Sequence, residues 1–259
     1  MKMLLLVLIA GWPVMAQEKT LACNDGNQGN GLVRHCEMRE QTVAFAGRLS
    51  IDGGSNGGVS VKAWDQGNVL VRSRVEAQAG DAGTAQAVSS QIHVNLSAGQ
   101  VTASGPESNR AESWSVSYEI FVPRQADLSI KTNNGGISIS QVRGTIHFEA
   151  TNGGVTLRGL AGDVEGKTQN GGLRIELAGA RWDGAKLDAR TTNGGITLAL
   201  PENYSAHLET ATVHGNVDIA MPMTVHGEIG RRISTDLGSG GATIHVETTN
   251  GGVKIGRAL

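Results

Sequence analysis

The sequence predicts an all-β chain, a parallel β-solenoid with an irregular N-terminal β cap. Three observations carry that prediction. Of 259 residues 37 are Gly, roughly twice the usual share, and each Gly inside a helix costs about 1 kcal/mol relative to Ala. Apolar residues recur in short alternating runs. The tripeptide Asn-Gly-Gly begins at Asn56, Asn134, Asn152, Asn170, Asn193 and Asn250. Five Pro and 3% aromatics exclude collagen and Pro-rich linkers. A formal net charge of −2 supplies no basic stripe for nucleic acid.

Residues 1–16 read as a secretory signal peptide. Lys2 gives a positive start, Met3 to Ala10 is apolar, and Val14-Met15-Ala16 places small residues at a cleavage site. The apolar run is far shorter than the roughly 20 residues a membrane span needs, so no transmembrane span is expected after cleavage. A retained anchor, or a lipid attached at Cys23, is the competing reading. Residues 17–40 hold the only two cysteines, Cys23 and Cys36. An exported chain meets an oxidising compartment, so the two are expected to form a disulfide that tethers the polar loop between them.

Residues 41–126 alternate in β fashion without a fixed period and are read as an irregular cap that starts the solenoid. A separate N-terminal sandwich is the alternative. Thr42 to Ile51, Val59 to Val61 and Val69 to Val75 form strands, and Ala77 to Ser90 a short helix or loop. Ile92 to Leu96 and Val101 to Ala103 make a hairpin, and Trp114 to Val122 is the strongest strand.

Residues 127–259 are read as regular coils. The step from Asn134 to Asn152 to Asn170 is 18 residues, and the next, to Asn193, is longer. A degenerate corner follows at His214-Gly215-Asn216. The stretch from there to Asn250 reads either as two coils or as one enlarged coil. Each corner precedes an apolar-polar-apolar triplet, from Ile137-Ser138-Ile139 to Val253-Lys254-Ile255, and follows a second alternating run such as Ile146 to Thr151. A series of hairpins built on Asn-Gly turns competes with this reading. Constant spacing is a requirement of parallel stacking, however, because like positions then sit over like positions about 4.8 Å apart. Asn134, Asn152, Asn170, Asn193 and Asn250 are therefore expected to form an amide ladder, with Gly supplying positive φ at the corners.

The signal segment, the strand ending Tyr118-Glu119-Ile120-Phe121-Val122-Pro123 and the Asn-Gly-Gly-Ile/Val-x-Ile/Leu units resemble a bacterial family that carries a provisional adhesin label. Its members are exported β-strand-repeat proteins of unknown function. The resemblance spans about residues 40–259 and implies an exported parallel β-solenoid with no catalytic motif to carry over.

Chemistry is sparse. His-x-Glu recurs at His147/Glu149, His207/Glu209 and His245/Glu247. Coils lying between the copies should keep them from stacking into one metal site. Asp163, Asp183, Asp188 and Asp218 could serve a glycosidase in type but share no phase of the repeat. No nucleophile triad, phosphate loop or dinucleotide fingerprint is present, so no catalytic, cofactor or metal residue is assigned. Trp182, in a lengthened unit, is the tentative contact residue, against the alternative that it packs on the wall. The expected role is a non-enzymatic envelope or surface module. It would bind an unidentified protein or glycan in the periplasm, at the cell surface or outside the cell, or self-associate through the solenoid ends. A carbohydrate-active lyase or hydrolase on the same scaffold is the alternative.

Overall fold

The computed structural model describes residues 21–23, 31–97, 99–221 and 230–258. The signal segment 1–16, nearly all of the loop between the cysteines and part of the stretch 222–241 lie outside them. Among the described residues twenty strands and one helix follow in order. The N-terminal part comprises β1 (Val33–Ala44), β2 (Arg48–Asp52), β3 (Val59–Trp64), β4 (Asn68–Ala79), α1 (Ala82–Ser90), β5 (His93–Ser97), β6 (Gln100–Ser104) and β7 (Ser113–Pro123). Strand pairs then alternate: β8 (Asp127–Thr132) with β9 (Ile137–Ser140), β10 (Arg143–Ala150) with β11 (Val155–Arg158), and β12 (Ala161–Asn170) with β13 (Leu173–Glu176). They continue as β14 (Lys186–Asn193) with β15 (Ile196–Leu200) and β16 (Ala206–His214) with β17 (Val217–Ile219). The chain then runs through β18 (Arg232–Leu237), β19 (Thr243–Asn250) and β20 (Val253–Arg257).

Two ten-stranded sheets result. The first has the order β1-β4-β7-β3-β9-β11-β13-β15-β20-β17 and the second β18-β16-β19-β14-β12-β10-β8-β2-β6-β5. From β3 to β17 and from β16 to β6 every pairing is parallel. Each strand–corner–strand rung thus contributes one strand to each sheet, and neighbouring rungs register like on like: Ile137, Val155, Leu173, Ile196, Val253 and Val217 lie in one line. Alternation sorts the side chains. On β10, Ile146 and Phe148 enter the core while His147 is exposed. Gly166 sits opposite Phe148, and a Cβ there would come within 2.5 Å of the ring.

The long gap before Asn250 hides a reordering. The rung β19–β20, last in sequence, lies between β14–β15 and β16–β17. The N-terminal end is arranged likewise, with β2–β3 lying between β6–β7 and β8–β9. Outside β6–β7, antiparallel β5, β4 and β1 close that end, and α1 packs on β4 and β1. Asp81 caps α1, its Oδ1 accepting from Thr84 N at 2.9 Å. Strand β1 begins within residues 17–40 and runs into the next segment. Cys36 on β1 is bonded to Cys23, with Cα atoms 5.8 Å apart.

The corners work differently from expectation. Gly135, Gly153, Gly171 and Gly194, the first glycine of four corners, do not have positive φ. A Cβ on Gly153 would lie 2.1 Å from the Gly135 carbonyl oxygen, and the other three corners are equally tight. Close stacking of backbone on backbone, rather than a left-handed conformation, is what requires glycine there.

Candidate functional site

Beside these corners the outward face of the second sheet carries side chains in rows, one residue per rung. One row is Lys131, Glu149, Lys167, Arg190, Glu247 and Ala211. The next is Ser129, His147, Glu165, Asp188, His245 and Glu209. Between the charged row and the corners, a groove of about 430 Å³ is lined by Glu149, Lys167, Arg190 and Glu247 with Thr151, Gln169, Thr192 and Thr249.

Electrostatics ties the rungs together across this face. Lys167 Nζ lies 3.5 Å from Glu149, and Lys186 Nζ lies 2.7 Å from Glu165. The Lys186 hydrogen bond, then its charge, holds the Glu165 carboxyl below its ordinary range. Burial opposes ionisation of Asp188, but hydrogen bonds from Arg190 and His245 outweigh it and lower its pKa. The face is therefore a lattice of paired charges with hydroxyls and amides along one side.

The amide ladder forms the rim. Nδ2 of Asn134 donates to Asn56 Oδ1 at 3.1 Å. Asn152 donates to Asn134, Asn170 to Asn152 and Asn193 to Asn170, each at 2.8 Å, and Asn250 donates to Asn193 at 2.7 Å. Every amide points the same way, and His214 stands beside Asn250 where a further one would come. Inside the rim runs a row not anticipated from sequence. Thr132, Thr168, Thr191, Thr248 and Thr212 are buried, and each hydroxyl donates at 2.7–2.8 Å to a corner glycine carbonyl. Ala150 holds the one place in this row where the carbonyl at hand, Gly135 O, is already taken by Thr132. The signal was Thr or Ala two residues before each corner Asn from Asn134 to Asn250, and Thr212 two before His214.

Trp182 is not on the outer surface. It is 5% exposed and its Nε1 donates to Gly162 O at 3.1 Å, so the lengthened unit folds its ring into the core. The His-x-Glu units at 207 and 245 are neighbours after all, because β19 pairs with β16. Their register sets Glu209, not His207, opposite His245. Among the described residues no three His, Cys, Asp or Glu side chains are grouped to hold a metal ion.

One constellation has catalytic residue types: Ser234 Oγ lies 3.3 Å from His207 Nε2, and His207 Nδ1 lies 2.7 Å from Asp236. Glu209 lies 3.4 Å from the same Nε2. The Asp236 hydrogen bond, opposed by partial burial and reinforced by the charges of Asp236 and Glu209, raises the His207 pKa. The Asp236 and Ser234 contacts cross the antiparallel pairing of β16 with β18. The group is an ion-pair clamp between β16 and β18.

The chain shows similarity to solved structures at low identity. A Clostridium sporogenes protein provisionally named for cell adhesion shares 12% identity, with 86% of this chain and 100% of that one covered and a TM-score of 0.42. A Bacteroides fragilis protein provisionally named an adhesin shares 14%, with 86% and 97% covered and a TM-score of 0.35. No curated protein matches. The profile of one family matches residues 49–256, covering the stacked rungs and closing strands β4 and β5 but not β1. The chain belongs to the Toastrack DUF4097 family.

Proposed function

We propose that the chain is an exported, non-enzymatic β-solenoid that binds an extended envelope or surface polymer along the groove beside its corners. The cap of residues 41–126 starts the stack, the coils of 127–259 carry the groove, and residues 17–40 are the tethered N-terminal segment. The observation that carries this reading is the rung-by-rung register of Glu149, Lys167, Arg190 and Glu247 beside Thr151, Gln169, Thr192 and Thr249. A groove that repeats at about 4.8 Å per rung suits a long ligand better than a compact one. Its lining of hydroxyls, amides and paired charges, with no large apolar anchor, favours a glycan over an apolar peptide. The disulfide supports an oxidising compartment. No helix among the described residues is long and apolar enough to cross a membrane.

Co-sedimentation of the mature chain with insoluble bacterial envelope glycan tests this. Binding is expected, with at least a tenfold loss in the double variant Lys167→Ala/Arg190→Ala, whose side chains are solvent-facing. A wild-type chain that stays in the supernatant, or a double variant that binds equally well, would reject the groove. Release of new reducing ends or unsaturated sugars would instead establish an enzyme.

A further inference from the structure

Strand β1 is the last strand at one end of the first sheet, and it is twelve residues long. Most strands of the stacked rungs are shorter, so β1 and β4 form a ribbon that outlasts them. The hydrogen-bonding direction of each residue on β1 follows from one bond further in. Tyr118 N–H donates to Gly58 O at 2.8 Å, so even-numbered residues of β7 bond toward β3 and odd-numbered ones toward β4. That alternation passes through β7–β4 and β4–β1 in unbroken register. Cys36, Met38, Glu40 and Thr42 therefore direct their N–H and C=O groups away from β4, off the end of the sheet. Such an edge is a template for another strand unless something blunts it. Here no Pro and no bulge interrupts Val33–Ala44. Met38 is one of two large apolar side chains exposed among the described residues.

We infer that this edge pairs with the same edge of a second copy of the chain, antiparallel about a twofold axis through Met38. In that register Met38 faces Met38 of the second copy and the two exchange both backbone hydrogen bonds. Glu37 then falls opposite Arg39 of the second copy, and Arg39 opposite its Glu37. Within one chain Arg39 Nε already donates to Glu37 Oε1 at 2.7 Å, so the axis closes a ring of four alternating charges. Further out, Val33 meets Val43, and Glu40 meets Cys36 rather than another charge. The charges also reject three of the four neighbouring registers. Moving the axis by one residue sets Glu37 against Glu37 or Arg39 against Arg39, and like charges directly opposite are destabilising. Moving it by two toward the C-terminus sets Glu40 against Glu40. The remaining one, centred on Cys36, opposes no like charges but sets Glu37 against His35 and Arg39 against Val33, so only the Met38 register exchanges both Glu37–Arg39 pairs. The Cys23 bridge leaves from the outward face, where Cys36 lies opposite Glu76, so it departs across the sheet rather than along its plane.

Sedimentation velocity of the mature chain across a dilution series tests the pairing, together with oxidative cross-linking of two single-cysteine additions. A species of twice the monomer mass is expected, and it should be lost in Met38→Pro, where the proline removes only an N–H that points off the sheet. Met38→Cys should cross-link into a covalent dimer. Thr42→Cys should not, because the twofold carries position 42 to Arg34 of the other copy. Circular dichroism of Met38→Pro verifies that loss of the dimer is not loss of the fold, and Met38→Lys serves if the proline variant is unfolded. A wild-type chain that stays monomeric at every concentration, a dimer that survives both Met38 substitutions, or equal cross-linking at position 42 would each overturn the pairing. Glycan binding by the monomeric variant would be unaffected, so this result and that of the groove can fail separately.

Discussion

Thr168 Oγ1 donates across 2.8 Å to the carbonyl oxygen of Gly153, one rung back, and the Thr168 side chain is withdrawn from solvent. The bond satisfies a corner carbonyl that the ladder of one strand on the next does not use. Thr168→Val keeps the shape and leaves that carbonyl without its donor, which should cost roughly 1–2 kcal/mol. Thr168→Ser should retain most of the stability. Equilibrium denaturation of the three proteins checks this.

A methyl at Gly153 would meet the Gly135 carbonyl oxygen at 2.1 Å. The corner backbones cannot move apart without breaking the pairing of β8–β10 and β9–β11 on either side. Gly153→Ala should therefore destabilise by about 3 kcal/mol, the upper end for overpacking. Gly67→Ala, where a Cβ meets nothing within 4 Å, should change little and serves as the control. Thermal unfolding of both variants makes the comparison.

How much of this was legible in the sequence depends on the residue. The fixed step between Asn134, Asn152 and Asn170 predicts the register of their rungs, because equal spacing leaves no slack in a parallel stack. The place of residues 243–257 was not legible. Val253 stacks as well on Ile196 as Val217 would have done, so local pattern carries no information about which rung neighbours which. Trp182 misled for a related reason: a lengthened unit signals extra chain at a corner, and only the three-dimensional path shows the ring turning inward to reach Gly162 O. The threonine row was written in the sequence, two residues before most of the corner Asn residues, but a Thr in an alternating strand looks like any other β-former until its carbonyl partner is located.

Glu119 is 3% exposed on β7 and lies 3.2 Å from Lys62 and 2.6 Å from Arg72. Arg72 also reaches Glu40 on β1 at 3.3 Å, so the carboxylate helps fasten the N-terminal ribbon to the stack. Glu119→Ala removes the shared anion from two basic groups that are themselves largely covered. Breaking such a pair costs on the order of 3 kcal/mol, and Glu119→Gln should fall between. Hydrogen exchange should show the loss first in β4 and β1.

His207 should give the stability a pH dependence. Its pKa is raised in the folded chain, chiefly by Asp236. Its contribution is therefore complete below the unfolded value of about 6.5 and fades as pH rises through the higher folded value. Melting temperatures taken at about pH 6 and about pH 8 should fall in that order for the wild type. They should differ less for His207→Gln. On the acid side, Glu165 and Asp188 have lowered values, so what they contribute is present above their unfolded pKa and is lost as acid carries the pH down through the folded ones.

The seating of β19–β20 between β14–β15 and β16–β17 has a temporal meaning. The ribosome makes residues 206–219 before 243–257, yet the earlier segment has no proper floor to rest on until the later one arrives. An incomplete polypeptide must therefore hold the bare top of β14–β15 open for a neighbour still to be translated. Residues 243–257 then enter as an inner course of the wall, and deleting them would remove a layer from within the stack rather than from its end.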